Sequence, residues 1–152
     1  PGVMEAANKG AREAGVLSIG LNIVLPAEQM CNIYTNKTVT FNHFFVRKVM
    51  LVKYATAFVI MPGGLGTLDE LTEVLTLMQT RKIRPFPIIL FDSSFWQGFL
   101  EWLRHAVLAK HFIDEDDLRL LRLCDEPAEV AEAVQRWYMK QEIMGRRAVP
   151  AR

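Results

Sequence analysis

Two cysteines and three histidines in 152 residues leave little for metal or disulfide chemistry. Cys31 and Cys124 stand far apart, and neither is at a metal-ligand spacing from the other or from His43, His105 or His111. Such usage fits a reduced, cytoplasmic protein rather than a disulfide scaffold. Excess charge is missing too. Eighteen Lys and Arg against seventeen Asp and Glu leave a net charge of +1, which argues against a nucleic-acid groove built on bulk charge. No apolar run is long enough to span a bilayer and no signal peptide opens the chain, so no membrane partner is expected. Repeats and low-complexity tracts are absent.

What remains is an ordinary globular composition. Half the residues (51%) are hydrophobic and 23% are charged, enough for one core in a chain of this length. The opening Pro1-Gly2-Val3-Met4-Glu5 carries no initiator methionine and leads straight into a helix. The expectation is a remainder of a longer protein that lacks an N-terminal strand and helix, with one sheet edge left open.

The pattern along the chain alternates. Met4 to Ala14 reads as a helix of good formers ending at Gly15, a C′ glycine. Val16 to Leu25 is Val/Ile/Leu-rich and stops at Pro26, which suits a buried strand. Residues 26 to 37 read as a loop and Thr38 to Phe41 as a short strand. Phe44 to Tyr54 has apolar residues at 45, 49 and 52, a helical spacing. Ala57 to Met61 is an apolar strand broken by Pro62. Leu68 to Gln79 carries Leu68, Leu71, Val74, Leu75 and Met78 at intervals of three and four. Pro87 to Phe91, Phe95 to Leu108, Leu120 to Cys124 and Pro127 to Lys140 continue as strand, helix, strand and helix, the last with proline at its start. Such alternation predicts a Rossmann-like α/β fold, a parallel sheet with helices on both faces. One nucleotide-binding domain is expected over 1–144, followed by a basic tail, 145–152. Ligands of such sheets bind at the carboxyl ends of the strands, which points to the loop after Met61.

That loop is Pro62-Gly63-Gly64-Leu65-Gly66-Thr67. Three glycines in four positions allow close backbone approach and positive φ. The following helix offers unpaired N–H groups and the positive end of its dipole, which suits a phosphate. No Gly-Lys-Ser/Thr follows, so it is not a Walker A loop, and it is not Gly-x-Gly-x-x-Gly either. A second reading stays open here. Thr67 as N-cap with Glu70 at N3 would form a capping box, Thr-x-x-Glu, in a plain tight turn.

The segment Pro62-Gly63-Gly64-Leu65-Gly66-Thr67-Leu68-Asp69-Glu70 resembles the PGGxGTxxE signature of the LOG (Lonely Guy) family. These are cytokinin riboside 5′-monophosphate phosphoribohydrolases and related bacterial nucleotide nucleosidases, long labelled "possible lysine decarboxylase". Arg47-Lys48 falls where the family has its Arg-Lys pair. Pro1 to Ala11 is similar to the end of its first glycine-rich motif, and the resemblance extends to about Tyr138. Phe44 and Phe45 are closer to the longer bacterial branch. The chain departs from the family in lacking the first strand and in having Asp69 where many members have Glu.

The resemblance implies hydrolysis of a nucleoside 5′-monophosphate to free base and ribose 5-phosphate, with no cofactor and no metal. It implies Glu70 and Arg47 as catalytic residues, with Gly63, Gly64, Leu65, Gly66 and Thr67 holding the phosphate. Gly2, Met4, Glu5 and Lys48 are its weaker candidates for base and ribose; Met4 reads equally as a core residue. It also implies a homodimer or higher homo-oligomer. The chemistry is coherent, because loss of the base builds positive charge on the ribose that a nearby carboxylate stabilises. Decarboxylation would call for pyridoxal phosphate on a lysine, and nothing marks such a lysine. The competing expectation is a non-catalytic nucleotide or molybdenum-cofactor-like carrier of the same fold. Asn36, Thr38 and Thr40 lack a spacing that ties them to a site. The three histidines read as structural or surface residues. Trp96, Trp102 and Trp137 read as core or interface.

Overall fold

The computed structural model describes residues 2–25 and 32–147, with side chains described as far as Ile143. Pro1, the first half of the expected 26–37 loop (residues 26–31, with Cys31) and residues 148–152 lie outside the described residues. The chain is α/β, and among the described residues all strand pairs are parallel. Two compact units divide it, one up to Ala55 and the other from Thr56 onward.

The first unit contains α1 (Val3–Glu13), β1 (Ile19–Ile23), β2 (Lys37–Phe41) and α2 (Phe44–Tyr54). α1 stops as its glycine predicts. Gly15 sits at φ 70°, its N–H donates to the Arg12 carbonyl and the Val16 N–H reaches back to Ala11. These two bonds are a Schellman motif, which consumes carbonyls the helix end would otherwise leave unpaired. β1 and β2 form a two-stranded sheet in which Ile19 faces Lys37 and Ile23 faces Phe41, and α2 packs against both strands. The expectation of a fully buried first strand is not met. Only Ile23 of β1 is buried, and Val16, Leu17 and Val24 around it are exposed. Hydrophobic content alone signals strand propensity, not how many layers cover the strand.

The second unit runs β3 (Phe58–Ile60), α3 (Leu65–Gln79), β4 (Ile88–Phe91), α4 (Ser93–Trp102), α5 (Glu115–Leu118), β5 (Leu121–Cys124) and α6 (Pro127–Arg147). Its sheet has the order β3-β4-β5. Ile88, Ile89 and Leu90 are each completely buried. Successive side chains on a strand point to opposite faces, so β4 is covered on both sides, as a central parallel strand requires. One covering is α6, whose Ala133, with Val130 and Val134, packs on Ile89 and Cys124. α4 meets β4 and β5 and buries Trp96 and Leu100. On α3 the buried stripe is Leu71, Val74 and Met78, as its spacing predicts.

Several boundaries differ from the sequence pattern. The helix expected over Phe95–Leu108 begins two residues earlier and changes at Leu103 to a π-helical turn, Leu103–Val107, then a 3₁₀ turn, Leu108–Lys110. The last helix continues to Arg147, so part of the expected tail is helical. The short α5 has a capping box between Asp114 and Asp117 that propensity alone does not announce. None of the described helices is long and apolar enough to cross a membrane.

Replacing Ile89, which touches both β5 and α6, tests this core. Ile89→Ala removes packing on a fully buried strand and is expected to destabilise the protein by about 2–5 kcal/mol, read by urea denaturation. A loss well under 1 kcal/mol would contradict a tightly packed Ile89.

Candidate functional site

The glycine loop leaves the carboxyl end of β3 and enters α3 within four residues. α3 starts at Leu65, three residues before its apolar stripe, and Gly64 is its N-cap with no side-chain cap bond. This overturns the capping-box reading. Thr67 lies inside the first turn rather than ahead of it, so Glu70 cannot be its N3 partner. Gly66 caused the misreading: it interrupts the hydrophobic pattern, yet its φ is helical enough to continue the helix.

The consequence is an open helix start. The Thr67 and Leu68 N–H groups donate to the Gly64 carbonyl, at 3.0 and 3.1 Å. The Leu65 and Gly66 N–H groups have no acceptor among the described residues. No acidic residue occupies the first turn. Two unpaired donors and an uncompensated dipole end suit an anion.

The glycines have separable reasons. None of Gly63, Gly64 and Gly66 has positive φ; among glycines that conformation is confined to Gly2 and Gly15, so the expected conformational reason does not apply here. Gly63 is held by packing, because a Cβ there would lie 2.2 Å from Thr67 Oγ1. At Gly64 and Gly66 a Cβ would meet nothing within 4 Å. Neither backbone strain nor packing among the described residues demands glycine at these two positions. Close approach of a ligand to the backbone would.

Glu70 is half-buried one turn further on. It follows Gly66 and Thr67 by four and three residues, and helical side chains lean toward the N-terminus. Its carboxylate therefore belongs over the turn that carries the free N–H groups. Sequence reading passed over Glu73, three residues later on that face, whose Oε2 is buried. The signal was available in the i, i+3 spacing from Glu70. The neighbouring strands end at the same edge of the sheet. Asp92, at φ 80°, caps α4 by accepting from Ser94 N and Oγ at 3.1 and 2.5 Å, and Asp125 Oδ1 accepts the Ser93 N–H at 2.7 Å.

Arg47 and Lys48 sit on α2 in the first unit. Both are half-buried. The Arg47 guanidinium lies 5.8 Å from the Phe44 ring centroid, and its Nε is buried. The helical spacing of Phe45, Val49 and Val52 is met by α2, on which Phe44, Phe45 and Val49 are more than half exposed. Gly2 is the N-cap of α1 at φ 86°, Glu5 in its first turn is half-buried, and Met4 is 78% exposed, so Met4 is no core residue. Asn36 holds β1 through Ser18, and Thr38 contacts Thr35. His43, His105 and His111 are exposed. Trp96 is core, whereas Trp102 is exposed against Phe99. Among the described residues no group of His, Cys, Asp and Glu could hold a metal ion.

Alanine separates the glycine roles. Gly66→Ala is expected to leave the melting temperature unchanged or raise it, since alanine is worth up to about 1 kcal/mol over glycine in a helix, while weakening phosphate binding. Gly63→Ala is expected to lower the melting temperature through its collision with Thr67. Differential scanning fluorimetry with and without AMP distinguishes them, and unchanged AMP stabilisation in Gly66→Ala would remove this turn from the binding site.

Comparison with known proteins identifies the family. A family model described as "Possible lysine decarboxylase" matches residues 4–134. A cytokinin riboside 5′-monophosphate phosphoribohydrolase of Oryza sativa subsp. japonica is 33% identical over 98 residues, 64% of this chain and 40% of the relative. One of Rhodococcoides fascians is 31% identical over 62 residues, 41% of this chain and 31% of the relative. A probable one of Arabidopsis thaliana is 34% identical over 111 residues, 70% of this chain and 53% of the relative. The matched segments thus span about half, or less, of these relatives' lengths. With a glycine loop, an open helix start and a following glutamate in one register, and with the family model covering most of its length, the chain belongs to the LOG family.

Proposed function

We propose that the protein hydrolyses the N-glycosidic bond of nucleoside 5′-monophosphates, of the AMP or cytokinin riboside monophosphate type, to free base and ribose 5-phosphate. The observation that carries this reading is the uncapped start of α3, with two N–H groups that have no acceptor among the described residues and Glu70 one turn behind them. In the reaction the C1′–N bond breaks and its electron pair leaves with the base. Water adds its oxygen to C1′, and one of its protons ends on the base. The Leu65 and Gly66 N–H groups, with Gly63, Gly64 and Thr67, hold the 5′-phosphate. Glu70 offsets the positive charge that grows on the ribose and takes the proton from water. Arg47 is given an electrostatic role, because a guanidinium keeps its proton at working pH. Gly2, Met4, Glu5 and Lys48 are given to the base and ribose.

Decarboxylation is not favoured by the lysines. Lys9, Lys37, Lys53, Lys82, Lys110 and Lys140 are exposed, and a Schiff-base lysine needs shelter from water. Lys48 alone among the described lysines is half-buried. Self-association accompanies the reading, since the exposed Phe44, Phe45 and Val49 of α2 offer an apolar face for a homodimer. The buried free thiol of Cys124 is in keeping with a cytoplasmic setting.

The test is release of free base from AMP, GMP, CMP, UMP and a cytokinin riboside monophosphate by the full-length protein. Glu70→Gln is expected to lower kcat by about 10²–10⁴-fold with AMP affinity and melting temperature retained. Near-normal turnover in that variant would remove Glu70 from the mechanism. Nucleotide binding without base release by the wild type would favour a carrier.

A further inference from the structure

Ser18 is buried, at 4% exposure, and stands alone among the described residues as a buried polar residue. Its hydroxyl donates to Asn8 Oδ1 at 2.7 Å. That bond orients the Asn8 amide, so its Nδ2 is turned toward the Met4 carbonyl and donates to it at 3.0 Å. Asn32 approaches the same carbonyl from a different segment, with Nδ2 at 3.4 Å. Its amide is oriented in turn by the Tyr34 N–H, which donates to Asn32 Oδ1 at 3.0 Å. The segment carrying Asn32 is itself pinned. Asn36 Oδ1 accepts the Ser18 N–H and the Asn36 N–H donates to the Ser18 carbonyl, both at 2.8 Å.

Two amides from different segments thus converge on one carbonyl in the first turn of α1. The turn they fix is unusual in two ways. It is entered through Gly2 at φ 86°, a conformation few other residues adopt. It also holds the Met4 side chain out in water at 78% exposure, against the preference of so apolar a group. An immobilised turn that displays a thioether is suited to an aromatic ring, since sulfur–ring contacts are favourable.

We propose that Asn8 and Asn32 are positioning residues that lock the Met4 carbonyl and thereby present the Met4 side chain to the nucleobase. This rests on the proposed function, which assigns the Gly2–Glu5 turn to base and ribose. Neither amide touches the substrate. They act by keeping the turn in its binding conformation before the nucleotide arrives, which lowers the ordering cost of binding.

Asn8→Asp isolates the effect. An aspartate still accepts from Ser18 Oγ but cannot donate to the Met4 carbonyl. Asn32→Asp makes the same change from the other side. The full-length protein and these variants are compared for AMP KM and kcat by base release, and for AMP Kd by calorimetry. A lost neutral hydrogen bond corresponds to about a three- to tenfold rise in KM and Kd, with kcat held within twofold. Arg12→Met is the control. It removes another tie to the same segment, Arg12 Nη1 to the Ile33 carbonyl at 3.1 Å, without touching Met4, and KM is expected to stay within twofold.

Unchanged KM and Kd in both Asp variants overturn the proposal. So does an equal rise in Arg12→Met, which would mean general loosening. If Asn8→Asp fails to fold by circular dichroism, Asn32→Asp alone decides. A wild type that binds AMP without releasing base sinks the proposed reaction, yet the Kd comparison still judges the positioning role. A wild type that does not bind AMP overturns both.

Discussion

Complete burial of Ile88, Ile89 and Leu90 is the constraint from which the second unit follows. A strand covered on both faces cannot lie at the surface of a sheet, so β3 and β5 flank it and helices cross over it. Parallel neighbours joined by crossovers deliver every strand end of one kind to the same edge. The Pro62–Gly64 loop, Asp92 and Asp125 are neighbours for that reason, although they are separated widely in the chain. The site is thus a by-product of topology before it is a product of particular side chains.

Within that edge, the start of α3 is set apart by what it does not contain. α4 begins with Asp92 binding Ser94, and α5 with Asp114 and Asp117 in reciprocal contact. α3 begins with glycine, no cap and no acid. A helix start that spends its donors on its own side chains has none left for a ligand, whereas α3 keeps two that no described residue accepts. Glu70 stands in the second turn of α3, where it does not neutralise the first.

The order of elements was legible because each class of signal was local. Gly15 announced the end of α1, and Leu71, Val74 and Met78 announced the face α3 buries. The nine residues from Pro62 to Glu70 likewise carried the family likeness without help from the fold. What could not be read was anything set by partners distant in sequence. Phe45 and Val49 have a helical spacing that announced α2, but spacing does not say whether a layer exists to receive them, and both are exposed. The Asn8–Ser18–Asn36 chain of hydrogen bonds was hidden because its members are scattered over 29 positions and none is unusual in its own neighbourhood. Thr67 was misplaced because an N-cap and a third helical residue draw on the same small set of side chains.

The contact between Gly63 and Thr67 bears on how such a loop is inherited. The missing Cβ of the one is filled by the hydroxyl of the other, so the two positions share a single volume. A larger residue at 63 is tolerable only after 67 has shrunk, and a shrunken 67 leaves a gap that only a larger 63 would refill. Neither intermediate is neutral. The two positions therefore cannot be altered independently: any side chain placed at 63 must be matched by a change at 67.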